Sequence, residues 1–527
     1  MNKQSFIRGT MILLAAGIIN RLLGFIPRIM LPRVIGAEGV GLYQLGYPFF
    51  LVLVTLISGG VPLAVAKLVS EAESEGRPER SLTVLRTSLI LSAAAGILAM
   101  FFCLFGASWI TKNILTDGRV YYSFISMSPM IVIVALSSVF RGYFQGKQNM
   151  IPSAASSIAE TLARILCVLW FSYLLLPKGI AFAAAGAMLG VLAGELVGLA
   201  TLLWQYWKQR AHKQQLDKPL PTTSKSKKTS RDYPPLTAAR RMLRIAIPVT
   251  GGRLVGSLSY LLESITTAQS LAIAGVATAI ATAQYGALQG MIIPLLLLPG
   301  ALTSSLAVSL VPSLAEAQAR GDQRTIHKRL HQSLRLALVT GAPFAVLMYV
   351  MAEPLCVLLY DNAEIAGMLK MMAPFALFMY IQAPLQATLQ ALDKPGRALV
   401  NTLIGAVIKI GLILYLASNP ALGIYGAIIA SIVNMLIVTL LHGQAVIRLI
   451  HFRFPTLDVI KVTCGMIIMA AITTFLYQRI HWFKFEWLQA IAASTTAVLA
   501  YLALMVGMGL IDRHDMTRVP IIGKWFK

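Results

Sequence analysis

The sequence predicts an all-α polytopic membrane protein of about fourteen transmembrane helices, arranged as two parallel six-helix bundles followed by two C-terminal helices. Three observations carry that prediction. The chain has 527 residues, 57% of them apolar and 13% charged, with a mean hydropathy of +0.73; no soluble globule is built this way, so lipid solvates most of it. Mainly apolar runs of about 20 residues, the length that crosses a bilayer as a helix, recur along the whole chain. Lys and Arg alternate between connections: with the N-terminus inside, and residues at span ends assigned to the adjoining connection, 33 of the 45 fall on the inside, 7 on the outside and 5 deep within spans. This asymmetry places both termini in the cytoplasm of a multi-pass cell-membrane protein. The net charge of +24 thus reads as a topology signal, and no nucleic-acid partner is expected.

Taken in order, the spans fall near 10–31, 42–66, 84–108, 120–141, 153–176, 181–207, 243–275, 284–310, 332–358, 367–391, 398–417, 422–447, 459–478 and 487–511. The basic start (Lys3, Arg8) and the run TMILLAAGII have the look of a signal peptide. Because the apolar helix continues past Asn20 and Arg21 to Leu31, it is read as an uncleaved first span. The cysteines Cys103, Cys167, Cys356 and Cys464 are far apart, without metal spacing, and read as small buried hydrophobes.

Domain organisation follows from a linker and a repeat. Residues 209–242 are rich in Lys, Ser, Thr and Pro and read as a basic, disordered or partly helical cytoplasmic linker. It separates an N-terminal bundle (1–208) from a C-terminal bundle (243–450), which helices thirteen and fourteen (451–511) and a cytoplasmic tail (512–527) follow. SEAESEGRPER at 70–80 is echoed by AEAQARGDQR at 315–324, and YFQGKQNMIPSA at 143–154 by TLQALDKPGRAL at 388–399. One offset, 245, superimposes Glu71 on Glu316, Gly76 on Gly321, Gln145 on Gln390 and Arg164 on Lys409. Six spans per repeat relate the halves by an axis along the membrane normal, a transporter-like plan with a cleft between bundles.

The charges inside the spans are the candidate site. Arg21 lies near mid-membrane, too deep to reach water easily. Arg28 follows at about 20° from the same helix face and roughly 10 Å along it. Pro27 and Pro32 are expected to bend this helix. Arg164, Arg253 and Lys409 are the other deep cations. The acids are Glu160, Glu195 and Glu263. Glu160 precedes Arg164 by four residues, the spacing of an intrahelical ion pair, so Arg164 is either neutralised or available to a ligand. Glu263 sits about 80° around and about 15 Å along the helix from Arg253, which rules out pairing between them. It suits either a coupling-ion site or an arginine of the first span. The excess of deep cations implies a water-filled cleft for an anionic substrate, and arginine suits phosphate or pyrophosphate through paired hydrogen bonds. No P-loop or HExxH occurs, so neither an enzyme nor a cofactor or metal is expected.

The motif R-L-L-G-F-x-x-R from Arg21 to Arg28, followed by IGAEGVGLYQL (35–45) and GVPLAVAKLVSEAESEG (60–76), resembles the multidrug, oligosaccharidyl-lipid and polysaccharide flippase superfamily. Within it the chain is similar to the stage V sporulation protein B family, through RLVGSLSYLLE (253–263), QSLAIAGV (269–276), QYGALQGMIIPLLLLP (284–299), LVPSLAEA (310–317) and LQATLQALDKPG (385–396). The resemblance implies outward transport of an undecaprenyl-pyrophosphate-linked saccharide, a peptidoglycan precursor, for the spore cortex. It also implies a substrate role for Arg21, the arginine that opens the motif. The next family arginine falls on Pro27, so Arg28 inherits its role by a shift of one. An eighth-helix arginine of the related lipid II flippases is absent near Gln284, Tyr285 and Gly286, leaving Arg253 or Lys409 to supply that charge.

The expected mechanism is alternating access, with Arg21, Arg28, Arg164, Arg253 and Lys409 as substrate ligands and Glu263 and Glu160 as ion-coupling groups or charge partners. Membrane lipids surround the protein, and the last two helices offer a groove for the polyprenyl tail. A cation-coupled drug antiporter is the alternative within transport. A non-transporting scaffold that recruits cell-wall synthases through its basic linker is the alternative outside it.

Overall fold

The computed structural model describes residues 6–216, 234–479 and 485–511. Among the described residues only helices and turns occur. Contacts divide the chain into two compact units, Met1–Gly290 and Met291–Lys527. The first contains α1 (Phe6–Leu23), α2 (Phe25–Ser58), α3 (Val61–Ser74), α4 (Pro78–Asn113), α5 (Val120–Met127), α6 (Met130–Gly146), α7 (Ile151–Leu175), α8 (Ile180–Leu216), α9 (Pro235–Ile273) and α10 (Thr278–Gly286). The second contains α11 (Ile293–Leu297), α12 (Gly300–Ala319), α13 (Gln323–Val350), α14 (Ala352–Tyr360), α15 (Ala366–Met372), α16 (Ala376–Ala391), α17 (Pro395–Leu412), α18 (Ile424–Ile450), α19 (Thr456–Arg479) and α20 (Glu486–Gly507). Among the described residues 13 stretches are long and apolar enough to cross a membrane, and the first, Met11–Ser74, takes in both of the first two expected spans. Those two separate at Gly36, whose φ of 68° and ψ of 176° are open to glycine alone without strain.

The first span is not one continuous helix. It breaks at Gly24, between Arg21 and Arg28. Pro27 has no N–H for the Leu23 carbonyl and its ring crowds that oxygen, so α1 stops at Leu23. The two arginines expected on one helix face therefore sit on successive helices.

The expected linker is helical at both edges, since α8 runs to Leu216 and α9 starts at Pro235. At 37 residues α8 is about 55 Å long, well beyond the roughly 30 Å hydrocarbon core of a bilayer. The middle of the linker, 217–233, and the expected tail, 512–527, lie outside the described residues.

The boundary between compact units falls at 290/291 and not at the linker on which the sequence divides the chain. The reason is close backbone packing at small residues, the usual way membrane helices associate. A Cβ on Gly60 would lie 2.2 Å from the Ala246 carbonyl oxygen of α9, and one on Gly41 2.0 Å from that of Thr282 in α10. The Thr250 hydroxyl of α9 accepts the Gly60 N–H at 3.0 Å. In the second unit, α19 and α20 pack on α13 through a core that includes Leu338, Met469 and Tyr501, and Tyr501 donates to the Val339 carbonyl at 3.3 Å.

The repeat is visible in the backbone. Gly76 and Gly321 both take positive φ, 69° and 70°, as do Thr116 and Asp361 (59° and 55°) and Gln148 and Asp393 (both 57°). All three pairs are separated by the offset of 245 that aligns the sequence motifs. Each glycine ends its helix in the same way: Arg77 N–H reaches the Ala72 carbonyl and Asp322 N–H the Ala317 carbonyl, both at 2.9 Å. Asp322 then caps α13, its carboxylate accepting the Thr325 N–H at 3.0 Å.

Candidate functional site

Four of the five deep cations, Arg21, Arg28, Arg164 and Arg253, belong to the first unit; Lys409, half-buried on α17, belongs to the second. Arg21, Arg28 and Arg253 are exposed. Around Arg253 the surface is open, because a Cβ on Gly251, Gly252 or Gly256 would meet nothing within 4 Å. The Arg28 guanidinium lies 5.7 Å from the centre of the Phe25 ring, a cation–π contact.

Arg164 has a different environment. Glu160, one helical turn earlier on α7, forms an ion pair with it at 3.1 Å, the pairing that the spacing allows. Glu160 also accepts from Arg141 of α6 at 2.6 Å. Its side chain is only 9% exposed, so the two guanidinium groups supply the compensation that a buried carboxylate needs. Glu195 of α8 is half-buried and follows Gly194, where the α8 backbone meets Arg164 and the Glu160 carbonyl.

What brings α8 to this point is a row of glycines, Gly186, Gly190, Gly194 and Gly198, four residues apart and hence on one face. A Cβ would lie 2.5 Å from the Phe171 carbonyl oxygen at Gly186, 2.3 Å from the Val168 Cα at Gly190 and 2.7 Å from the Arg164 Cβ at Gly194. At Gly198 it would approach the Glu160 Cβ at 3.2 Å. Ser156 fixes the register by donating to the Gly198 carbonyl at 2.9 Å.

A second polar group lies on α2 and α9. Tyr43 and Tyr47 stack at 5.9 Å between ring centres. Tyr260 donates to Gln44 at 3.3 Å, and Glu263 accepts from Gln289 at 2.9 Å. The Tyr260–Gln44 hydrogen bond ties α9 to α2. Sequence reasoning missed Arg141, which it left at the cytoplasmic end of the fourth span, and the tyrosines. The glycine spacing on α8 was the available signal for the α7–α8 contact; for Arg141 there was none.

A third cluster lies outside the spans. Asp117, nearly fully buried between α4 and α5, accepts from Arg119 at 2.8 Å and from the Thr282 hydroxyl of α10, also at 2.8 Å. Arg119 also pairs with Glu38 of α2. Burial alone would push the Asp117 carboxyl up, but the Arg119 and Thr282 hydrogen bonds hold it below the ordinary value of 3.8. A small apolar pocket lined by Leu45, Ala268, Ala281 and Tyr285 carries no charged side chain. Among the described residues no group of three or more His, Cys, Asp or Glu is placed to hold a metal ion.

Helical units with an internal repeat and arginines within apolar helices define a polytopic membrane protein, and solved structures share this fold. A lipid II flippase MurJ in an inward closed conformation superimposes with a TM-score of 0.68 at 16% identity, covering 94% of this chain and 99% of that one. An inward-facing multidrug resistance MATE family transporter of the MOP superfamily gives 0.62 at 16% identity, over 82% and 95%. The chain belongs to the polysaccharide biosynthesis protein family, which matches residues 6–318, and the MatE family matches residues 256–415. Its relatives include stage V sporulation protein B of Bacillus subtilis (strain 168), 38% identical with 99% of both chains covered. Lipid II flippase MurJ of the same organism is 26% identical over 91% of this chain and 89% of its own. The chain is therefore a polytopic membrane protein of the polysaccharide biosynthesis family.

Proposed function

We propose that the protein is a flippase that moves an undecaprenyl-pyrophosphate-linked saccharide, a peptidoglycan precursor for the spore cortex, from the inner to the outer leaflet by alternating access. The observation that carries the proposal is the exposure of Arg21, Arg28 and Arg253 at membrane depth on the first unit. An arginine held in hydrocarbon costs at least several kcal/mol, so three exposed ones call for a watery cavity and an anionic cargo. Arg164 is partly compensated by its ion pair with Glu160. Lys409 is the corresponding cation of the second repeat. Both termini lie in the cytoplasm, on the support of the Lys and Arg asymmetry. In that orientation an inside-negative potential drives an anion outward by about 2.3 kcal/mol per charge per 100 mV. The kinship with a lipid II flippase and with a sporulation protein supports the substrate class and its use.

The test is leaflet exchange of a fluorescent undecaprenyl-pyrophosphate saccharide in liposomes holding the purified protein. Exchange by wild type that Arg21→Ala loses with folding retained supports the reading. No exchange above empty liposomes, with or without an imposed potential, overturns it. A drug antiporter would instead depend on Glu263 and Glu160 more than on Arg21, and a scaffold would survive Arg21→Ala.

A further inference from the structure

We infer that Arg141 and Arg164, aligned by the carboxylate of Glu160 between them, form a two-guanidinium subsite for a diphosphate, with Arg141 as a ligand and Glu160 as a positioning residue. Glu160 offers one oxygen to each arginine: Oε2 accepts from the Arg141 Nη2 at 2.6 Å, and Oε1 lies 3.1 Å from the Arg164 Nη2. These two distances and the width of a carboxylate put the Nη2 atoms no more than about 8 Å apart, within reach of both phosphoryl groups of one diphosphate.

One arginine is enough to neutralise Glu160, so the second guanidinium is surplus to a structural ion pair and calls for an anion of its own. Each guanidinium carries five N–H donors, far more than one carboxylate can occupy. The Arg141 Nε is buried and has no hydrogen-bond partner among the described residues. The arginine side chains are 31% and 33% exposed against 9% for Glu160, so the acid lies beneath two cations that keep accessible faces.

Neighbouring helices hold this arrangement. A Cβ at Gly198 of α8 would come 3.4 Å from the Glu160 Oε2, and one at Gly194 2.7 Å from the Arg164 Cβ, so the α8 backbone closes the far side of both. On α1 the Asn20 amide donates to Ser157 at 2.6 Å. Ser157 precedes Glu160 by three residues on α7, which sets the helix of Arg21 beside the same stretch. Two guanidinium groups fit the two phosphoryl groups of a diphosphate better than the single one of a monophosphate. A lipid as the source of that diphosphate rests on the flippase reading above; the preference for two phosphoryl groups does not.

The experiment measures binding of undecaprenyl diphosphate, undecaprenyl monophosphate and inorganic diphosphate to the purified full-length protein in detergent. Wild type is compared with Arg141→Gln, Arg141→Lys, Glu160→Gln and Glu160→Asp, each checked for near-native thermal unfolding. Wild type is expected to prefer the lipid diphosphate over the monophosphate by about tenfold or more, the value of one charge-assisted hydrogen bond. Arg141→Gln removes that preference by weakening the diphosphate alone. Arg141→Lys keeps the charge opposite Glu160 but not the planar fork, and retains part of it. Glu160→Gln lowers the preference and Glu160→Asp restores part of it, which a change in stability alone would not do. A wild type without the preference, or an Arg141→Gln variant that weakens both lipids equally, overturns the subsite. Inorganic diphosphate that binds as tightly as the lipid supports the subsite and overturns the lipid as its source. Leaflet exchange that fails in wild type while the preference behaves as expected refutes the flippase reading and leaves the subsite standing.

Discussion

Replacing Gly190 with alanine adds one methyl group where α8 has no room for it. The new Cβ would lie 2.3 Å from both the Cα and the backbone nitrogen of Val168, and those atoms cannot rotate away. Ordinary contact begins near 3.4 Å, so α7 and α8 must separate locally by about 1 Å. Overpacking of this kind costs about 1–3 kcal/mol, a fall in the ratio of folded to unfolded protein of roughly 5- to 150-fold. The same chemical change at Gly251, where nothing lies within 4 Å of the new atom, has the opposite sign. Alanine is there better by up to about 1 kcal/mol through helix propensity alone. Denaturant titration of the detergent-solubilised protein, followed by far-ultraviolet circular dichroism, measures both variants against wild type. Equal effects, or stabilisation by Gly190→Ala, would refute the claim that the glycine row sets the distance between these helices.

Other outcomes follow from the same structure. Arg21→Ala lowers saccharide-lipid exchange at least tenfold, because the cavity loses a charge-assisted hydrogen-bond donor worth about 1.5–3 kcal/mol, and Arg21→Lys recovers part of it, as exchange rates in liposomes will show. Thr282→Val removes the hydroxyl that reaches Asp117, and hydrogen–deuterium exchange at the start of α10 rises. The Asp117 cluster also makes a pH prediction. A carboxyl held below its ordinary value of 3.8 contributes stability that is fully present above that value and is lost as pH falls through the lower, folded-state value. In unfolding measurements Asp117→Asn is therefore less stable than wild type near neutral pH, and the difference shrinks in the acid limb; a constant difference across that limb contradicts the assignment.

Short-range relations were legible in the chain and long-range ones were not. Glu160 and Arg164 are one turn apart, and helix geometry alone made them an ion pair. The repeat offset, read from a few weak matches, reappears as three pairs of residues with positive φ, because a backbone turn demands the same local conformation in both halves. Arg141 lies 19 residues before Glu160, and no periodicity links them. The bend expected at Pro27 is local as well: α1 ends at Leu23, four residues before it, and Arg21 and Arg28 lie on successive helices.

By itself the sequence determined the solvent, the helices, the repeat and the identities of the deep charges. The repeat shows as one offset shared by several motifs, and the others depend on composition or on the spacings of a single helix, where bilayer thickness and helix pitch leave little freedom. Only the tertiary structure decided that α9 and α10 join the first unit and that Arg141 meets Glu160. It also decided that Arg164 shares Glu160 with Arg141 while Arg21, Arg28 and Arg253 are exposed. Those outcomes depend on which helix faces meet, and that is settled where glycines let two backbones approach more closely than any side chain would permit.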